Sequence, residues 1–76
     1  MNEVLETIAK ALVDNPEAVS VTQIDNEDDT ITLELRVAES DMGKVIGKQG
    51  RIAKAIRAVV KAAASKENKK VAVDIV

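Results

Sequence analysis

Apolar residues recur with two different periods along this chain, and the switches between them mark the elements. Val4, Leu5, Ile8, Ala9, Leu12 and Val13 repeat on one face of a 3.6-residue period, which predicts a helix over residues 3–14. Asn15-Pro16 should end it, because the residue before a proline disfavours the α region. Residues 18–24 are short, β-branched and alternating, and predict a strand. Asp25-Asn26-Glu27-Asp28-Asp29 is a polar, acidic turn. Residues 30–37 then alternate without a break. Ile31, Leu33, Leu35 and Val37 point one way, and Thr30, Thr32, Glu34 and Arg36 the other. The two strands are expected to form an antiparallel hairpin with one solvated face.

Ser40 or Asp41 can cap a short helix running to about Ile46. Two glycines, Gly47 and Gly50, then flank Lys48 and Gln49, the form of a tight turn between two helices. Residues 51–65 are rich in alanine and predict the clearest helix in the chain. At 100° per residue, Ile52, Ile56, Val59 and Ala63 cluster within about 60° and are the expected core stripe. Arg51, Lys54, Arg57 and Lys61 fall on a separate face about 120° wide. A polar loop, 66–70, leads to a last alternating strand over 71–76. The order predicts an α+β fold of one domain spanning 1–76, with three helices layered on a three-stranded sheet.

Charge changes the picture more than the net value of −2 suggests. Residues 1–43 hold two basic and eleven acidic residues, whereas 44–70 hold nine basic residues and one acidic, Glu67. The cationic segment contains the glycine turn, and local charge of this kind attracts polyanions even at a low isoelectric point. Composition also removes whole classes of function. With no Cys and no His there is no disulfide, no thiolate metal site and no histidine general base. The carboxylates lie mostly in solvated stretches, and no activated nucleophile or tuned base stands out, so neither an enzyme nor a cofactor is expected. The N-terminus lacks the basic start and apolar run of a signal peptide, and no apolar run is long enough to cross a membrane, so a cytoplasmic location is expected. With no Phe, Tyr or Trp, bases cannot be stacked on aromatic rings, which argues against an RRM or an aromatic OB-fold platform.

In a GxxG turn the missing Cβ atoms let another backbone approach closely. The amides opening the next helix favour an anion. With Lys48 inside the turn and Arg51 just after, the anion expected is a nucleic-acid phosphate. The run Asp41-Met42-Gly43-Lys44-Val45-Ile46-Gly47-Lys48-Gln49-Gly50-Arg51-Ile52-Ala53-Lys54-Ala55-Ile56-Arg57, with the element order around it, resembles a KH domain. A helix and a strand precede the strand–helix–GxxG–helix–strand unit, which is the type II, prokaryotic topology, with a mixed sheet. The match covers essentially the whole chain. The segments 11–16 and 71–76 also resemble the small stand-alone bacterial KH proteins of the KhpA family. The resemblance implies single-stranded RNA binding, links to RNA chaperoning and post-transcriptional control, and pairing with a second copy or with another KH-containing protein. Single-stranded DNA stays open as a ligand, since nothing in the residues identifies a 2′-hydroxyl reader.

The site expected from this reading is centred on Gly47, Lys48, Gln49 and Gly50. Arg51 and Lys54 lie beside the phosphate path, and Lys44 one turn before it. Gly43 is expected to admit a nucleotide or the adjacent strand, and Ile46 to contribute an apolar groove wall. Arg36 is expected to reach a base edge at the far side. The four acids of the 25–29 turn would repel an RNA backbone if they flanked it.

Overall fold

The computed structural model describes residues 2–76. Helix α1 (Asn2–Leu12) is followed by strands β1 (Ser20–Asp25) and β2 (Thr30–Arg36), helix α2 (Met42–Ile46), helix α3 (Arg51–Lys66) and strand β3 (Lys70–Ile75). Single 3₁₀ turns, Pro16–Ala18, Glu39–Asp41 and Lys48–Gly50, precede β1, α2 and α3. The expected order and α+β class hold. Helix α1 stops two residues earlier than predicted, although the Val13 amide still donates to the Ala9 carbonyl at 3.2 Å. Strand β1 starts at Ser20 rather than 18. The fixed φ of Pro16 nucleates a turn, and the Ala18 and Val19 amides donate back to the Asn15 and Pro16 carbonyls.

The sheet has the order β1-β2-β3. β1 pairs antiparallel with β2, from Ser20 opposite Arg36 to Asp25 opposite Ile31. β3 pairs parallel with β2, from Thr30 opposite Lys70 to Leu35 opposite Ile75. The sheet is therefore mixed, as the type II topology requires. Alternation places Val21, Leu33, Leu35, Val71, Val73 and Ile75 on the face that packs against Leu5, Ala9, Val45, Ile56 and Val60 of the helices. Leu33 and Leu35, in the central strand, are wholly buried.

Helix α3 runs antiparallel to β3. It ends in a Schellman arrangement: the Lys69 amide donates to the Ala64 carbonyl at 3.0 Å and the Asn68 amide to Ser65 at 3.1 Å. Asn68 takes the left-handed φ of 58° that this ending needs. The loop is three residues long, so the C-terminal end of α3 lies beside the start of β3 and its N-terminal end beside the end of β3.

The buried stripe of α3 is Ala53, Ile56, Val60 and Ala64. The predicted stripe shared only Ile56 with it. Val59 is 50% exposed, and Ile52 and Ala63 are half-buried. In an alanine-rich helix the apolar residues cover more than one face, and small residues at 53 and 64 let the helix approach the sheet closely. The neighbours Val59 and Val60 should therefore differ in urea unfolding. Val60→Ala is expected to cost roughly 1.5–3 kcal/mol, and Val59→Ala to stay within about 0.5 kcal/mol of wild type.

Candidate nucleic-acid interface

The turn between α2 and α3 is set by the backbone conformations its residues adopt. Gly47 has φ 74° and ψ 175°, a region open essentially to glycine alone. A Cβ built there would lie 2.6 Å from Ile52 Cγ1 and 2.9 Å from Ile52 Cβ. Gly50 sits in the left-handed region at φ 74°, ψ 14°, with open space around it. Between them Gln49 is also left-handed, at φ 57°, a conformation that costs a non-glycine residue about 1–2 kcal/mol. The Gly47 amide closes α2 on the Gly43 carbonyl at 2.8 Å, and the Gly50 amide closes the turn on the Gly47 carbonyl at 3.2 Å. Lys48 and Gln49 are left at an exposed tip.

Helix α3 starts from Gly50, which offers no side-chain acceptor to the first-turn amides. No acidic residue occupies that first turn. Arg51 and Lys54 are exposed there instead, and among the described residues neither they nor Lys48 make an ion pair. Three unpaired cations, an uncapped helix N-terminus and a glycine-lined backbone thus converge on one spot. That combination favours a phosphate by side-chain charge and by the positive end of the helix dipole together. Ile46, 36% exposed, lies on the α2 side of the same spot.

Three further expected residues lie around this spot in different surroundings. Arg36 is exposed at the end of the central strand. It alternates with the buried Leu35, so it lies on the sheet face opposite the helices. Lys44 is not free: its Nζ is paired with Asp14 and lies 3.8 Å from Asp41 Oδ1. The Asp14 hydrogen bond, with the charges of Asp14 and Asp41, raises the Lys44 pKa against the opposing effect of burial. Gly43 has nothing within 4 Å of a built Cβ, so no strand approaches it and only space outside the protein adjoins it.

Asp41 is the residue that sequence reasoning misassigned. It is 1% exposed and caps nothing by its side chain. Its Oδ1 accepts from the Asp14 amide at 3.3 Å, and its Oδ2 from the Asn15 amide at 3.0 Å and Asn15 Nδ2 at 3.2 Å. Burial alone would raise its pKa. The Asp14 and Asn15 amides, the Asn15 side chain and the Lys44 charge outweigh that and hold the carboxyl below its ordinary 3.8. Its folded pKa being depressed, its contribution is present above the unfolded value and lost as the pH falls through the folded one. No spacing rule signals a residue 26 and 27 positions from its partners.

Two further groups come together along α3. Arg57 Nε donates to the Val73 carbonyl on β3 at 3.2 Å. Beyond it Lys61 and Ser65, with Thr30, Lys69, Lys70, Val71 and Ala72, line a groove along the open edge of β3. The exposed face of α3 is thus basic from the glycine turn to its last turn. The acidic 25–29 turn borders Lys69, at the other end of α3 from the glycine turn. Sixteen residues at 1.5 Å each put the two about 24 Å apart. The acids therefore do not flank the GxxG. Among the described residues no group of acidic side chains is placed to hold a metal, and no helix is long and apolar enough to cross a membrane.

A GxxG turn between two helices, laid on a mixed three-stranded sheet in the order α-β-β-α-α-β, defines a KH domain of type II topology. The family model described as the KhpA/KhpB KH domain matches residues 2–75, and the chain belongs to that family. It is 66% identical to the RNA-binding protein KhpA of Clostridium perfringens and 64% identical to that of Clostridium acetobutylicum, over all 76 residues and the full length of each. It is 50% identical to the Listeria monocytogenes protein of the same name, covering 99% of it. Among solved structures, Aquifex aeolicus Era bound to GDP and AlF4− superposes with a TM-score of 0.68 at 19% identity, over 97% of this chain and 28% of that one. At that identity the likeness is one of fold.

The three glycines should separate in urea unfolding. Gly43→Ala is expected to stabilise by about 0.4–1 kcal/mol, since its helical backbone and open surroundings accept a methyl. Gly50→Ala should cost about 1–2 kcal/mol for its left-handed backbone alone. Gly47→Ala should cost about 3 kcal/mol or more, because strain and the collision with Ile52 add.

Proposed function

We propose that the chain is a non-catalytic, cytoplasmic single-stranded RNA-binding module, acting as an RNA chaperone or post-transcriptional regulator. The observation that carries this reading is the convergence of Lys48, Arg51 and Lys54 on an uncapped α3 N-terminus beside the glycine turn. Membership of a KH family whose relatives are named RNA-binding proteins supports RNA as the ligand. Phosphates would lie against the Gly47–Gly50 backbone, with Lys48 supplying charge and Gln49 a hydrogen bond. Bases would turn toward aliphatic surface, since there is no ring to stack on. The groove along Arg57, Lys61 and the β3 edge continues the path. Neither a nucleophile nor a metal takes part.

If about four phosphates are neutralised, log K should fall with log salt at a slope near −3. Lys48→Asp combined with Gln49→Asp should leave the circular dichroism spectrum unchanged and abolish binding to a short single-stranded RNA in fluorescence anisotropy. Binding with an unchanged salt slope in that variant would show that the turn is not the grip. The same titration with a single-stranded DNA of matching sequence decides between the two nucleic acids.

A second reading, pairing with another copy, is favoured by one observation. Ile8 and Leu12 of α1 and Ile52, Ala55 and Val59 of α3 line an apolar groove, with Leu12 and Val59 substantially exposed. α1 carries Glu3 and Glu6, the latter paired with Lys10, and α3 carries no acid. Two-fold pairing that sets α1 against the partner's α3 would thus match opposite charges around the apolar strip. Sedimentation should show a concentration-dependent dimer that Val59→Asp disperses, and a monomer at all concentrations in wild type would exclude it. A heterodimer with another KH-domain protein would use the same strip.

A further inference from the structure

We propose that Asp41, with Asn15 and Lys44, forms a latch that positions the glycine turn, and that Lys44 serves this latch and not the RNA. The inference rests on the RNA-binding reading only for its affinity arm. Asp41 is the one charged side chain that is buried among the described residues. Its carboxylate accepts three hydrogen bonds, all from Asp14 and Asn15, in the segment that leaves α1. It stands immediately before α2, a helix of five residues that ends at the turn. So short a helix has no stability of its own. Along its length only Val45 is buried, and one apolar anchor leaves rotation about that anchor unopposed. The Asp41 contacts supply the second fixed point, at the end of α2 away from Gly47.

Lys44 completes the arrangement. Its Nζ pairs with Asp14 and stands near Asp41, so it bridges the α1 segment to α2 from the outside. A phosphate would have to compete with two carboxylates for Lys44. Lys48, Arg51 and Lys54, which make no ion pair among the described residues, carry no such cost. α1 is itself fixed in the core by Leu5 and Ala9. The latch thus transmits the position of α1 to the turn, and a disturbance of the α1 end should appear at Gly47–Gly50, more than thirty residues away in sequence.

The test uses wild type, Asp41→Asn, Asn15→Ala, Lys44→Ala, Lys44→Arg and Lys48→Ala. Backbone amide spectra are recorded without RNA, and anisotropy titrations with a labelled random-sequence single-stranded RNA are run at several salt concentrations. Asp41→Asn and Asn15→Ala are expected to shift the amides of residues 47–50, leave those of β1–β3 in place, and weaken binding without changing the salt slope. Lys44→Ala should do the same and Lys44→Arg should restore wild-type behaviour. Lys48→Ala should flatten the slope by about 0.7, the loss of one single-strand phosphate contact. The core variant Val60→Ala, destabilised but remote from the latch, should keep wild-type affinity. A flattened slope in Lys44→Ala, or unmoved 47–50 amides in both Asp41→Asn and Asn15→Ala, overturns the proposal. If Asp41→Asn does not fold, Asn15→Ala decides, because it keeps the carboxylate and removes one donor. If wild type binds no RNA, the functional reading fails while the RNA-free amide shifts still decide the latch.

Discussion

A five-residue helix cannot hold its own shape in water, so the glycine turn is only as well placed as the contacts that fix Met42–Ile46. Three contacts do so, and they are of different kinds. Val45 is buried among apolar neighbours, which sets depth but not direction. Asp41 is held by directional hydrogen bonds to the segment after α1. At the other end the absent Cβ of Gly47 lets the chain pass close over Ile52, so the turn lies directly on the first residues of α3. Ile52 is half-buried for that reason, and does not serve as the centre of a core stripe. The turn's geometry is thus the result of one apolar anchor, one polar anchor and one steric vacancy.

Helix α3 connects that local geometry to the charge pattern. Its inner face takes small residues where it meets the sheet, and its outer face carries Arg51, Lys54, Arg57 and Lys61 in succession. Because α3 runs antiparallel to β3, the basic face follows the open strand edge from the turn to the far loop. The acidic hairpin turn sits at that far end, against Lys69. Its charges offset the lysines of the loop, and Lys70 in turn is among the groups that lower the Asp28 pKa, after the Thr30 hydrogen bonds. The sequence's division into an acidic half and a basic half therefore becomes a gradient along one helix, with its unpaired positive end at the glycine turn. A net charge near zero conceals this because the opposing charges are separated by the length of α3.

Much of the fold was legible in the sequence because its signals are local. Period-2 alternation located β2 and β3 to within a residue, and a run of alternating residues has no competing reading when turn residues bound it. The glycine turn was legible for the same reason: two glycines at fixed spacing between helices impose a backbone form on their own. Pro16 was read correctly as a stop, but its second effect, a 3₁₀ turn that delays β1, depends on backbone hydrogen bonds that no residue pattern announces. The stripe of α3 was misread because alanine is neutral in periodicity; whether Val59 or Val60 faces the sheet is decided by how closely Ala53 and Ala64 allow the helix to approach.

Lys44 and Asp41 share one property: their surroundings are set by partners distant in sequence. Lys44 has the charge and the proximity of a phosphate ligand, and only the fold brings Asp14 to it. Arg36, by contrast, stands on the open face where the alternation of its strand already put it, opposite the buried Leu33 and Leu35. Asp41 looked like a helix cap because Asp before a short helix usually is one. A cap, however, would leave the carboxylate at the surface, and this carboxylate is buried. A charge in that position persists only if every lone pair facing the interior has a donor. The donors are the Asp14 and Asn15 amides, which lie past the end of α1 at Leu12. The early end of α1 thus leaves free the groups that hold Asp41, and through Asp41 the direction of α2. The end of α1 and the aim of the glycine turn are in this sense coupled.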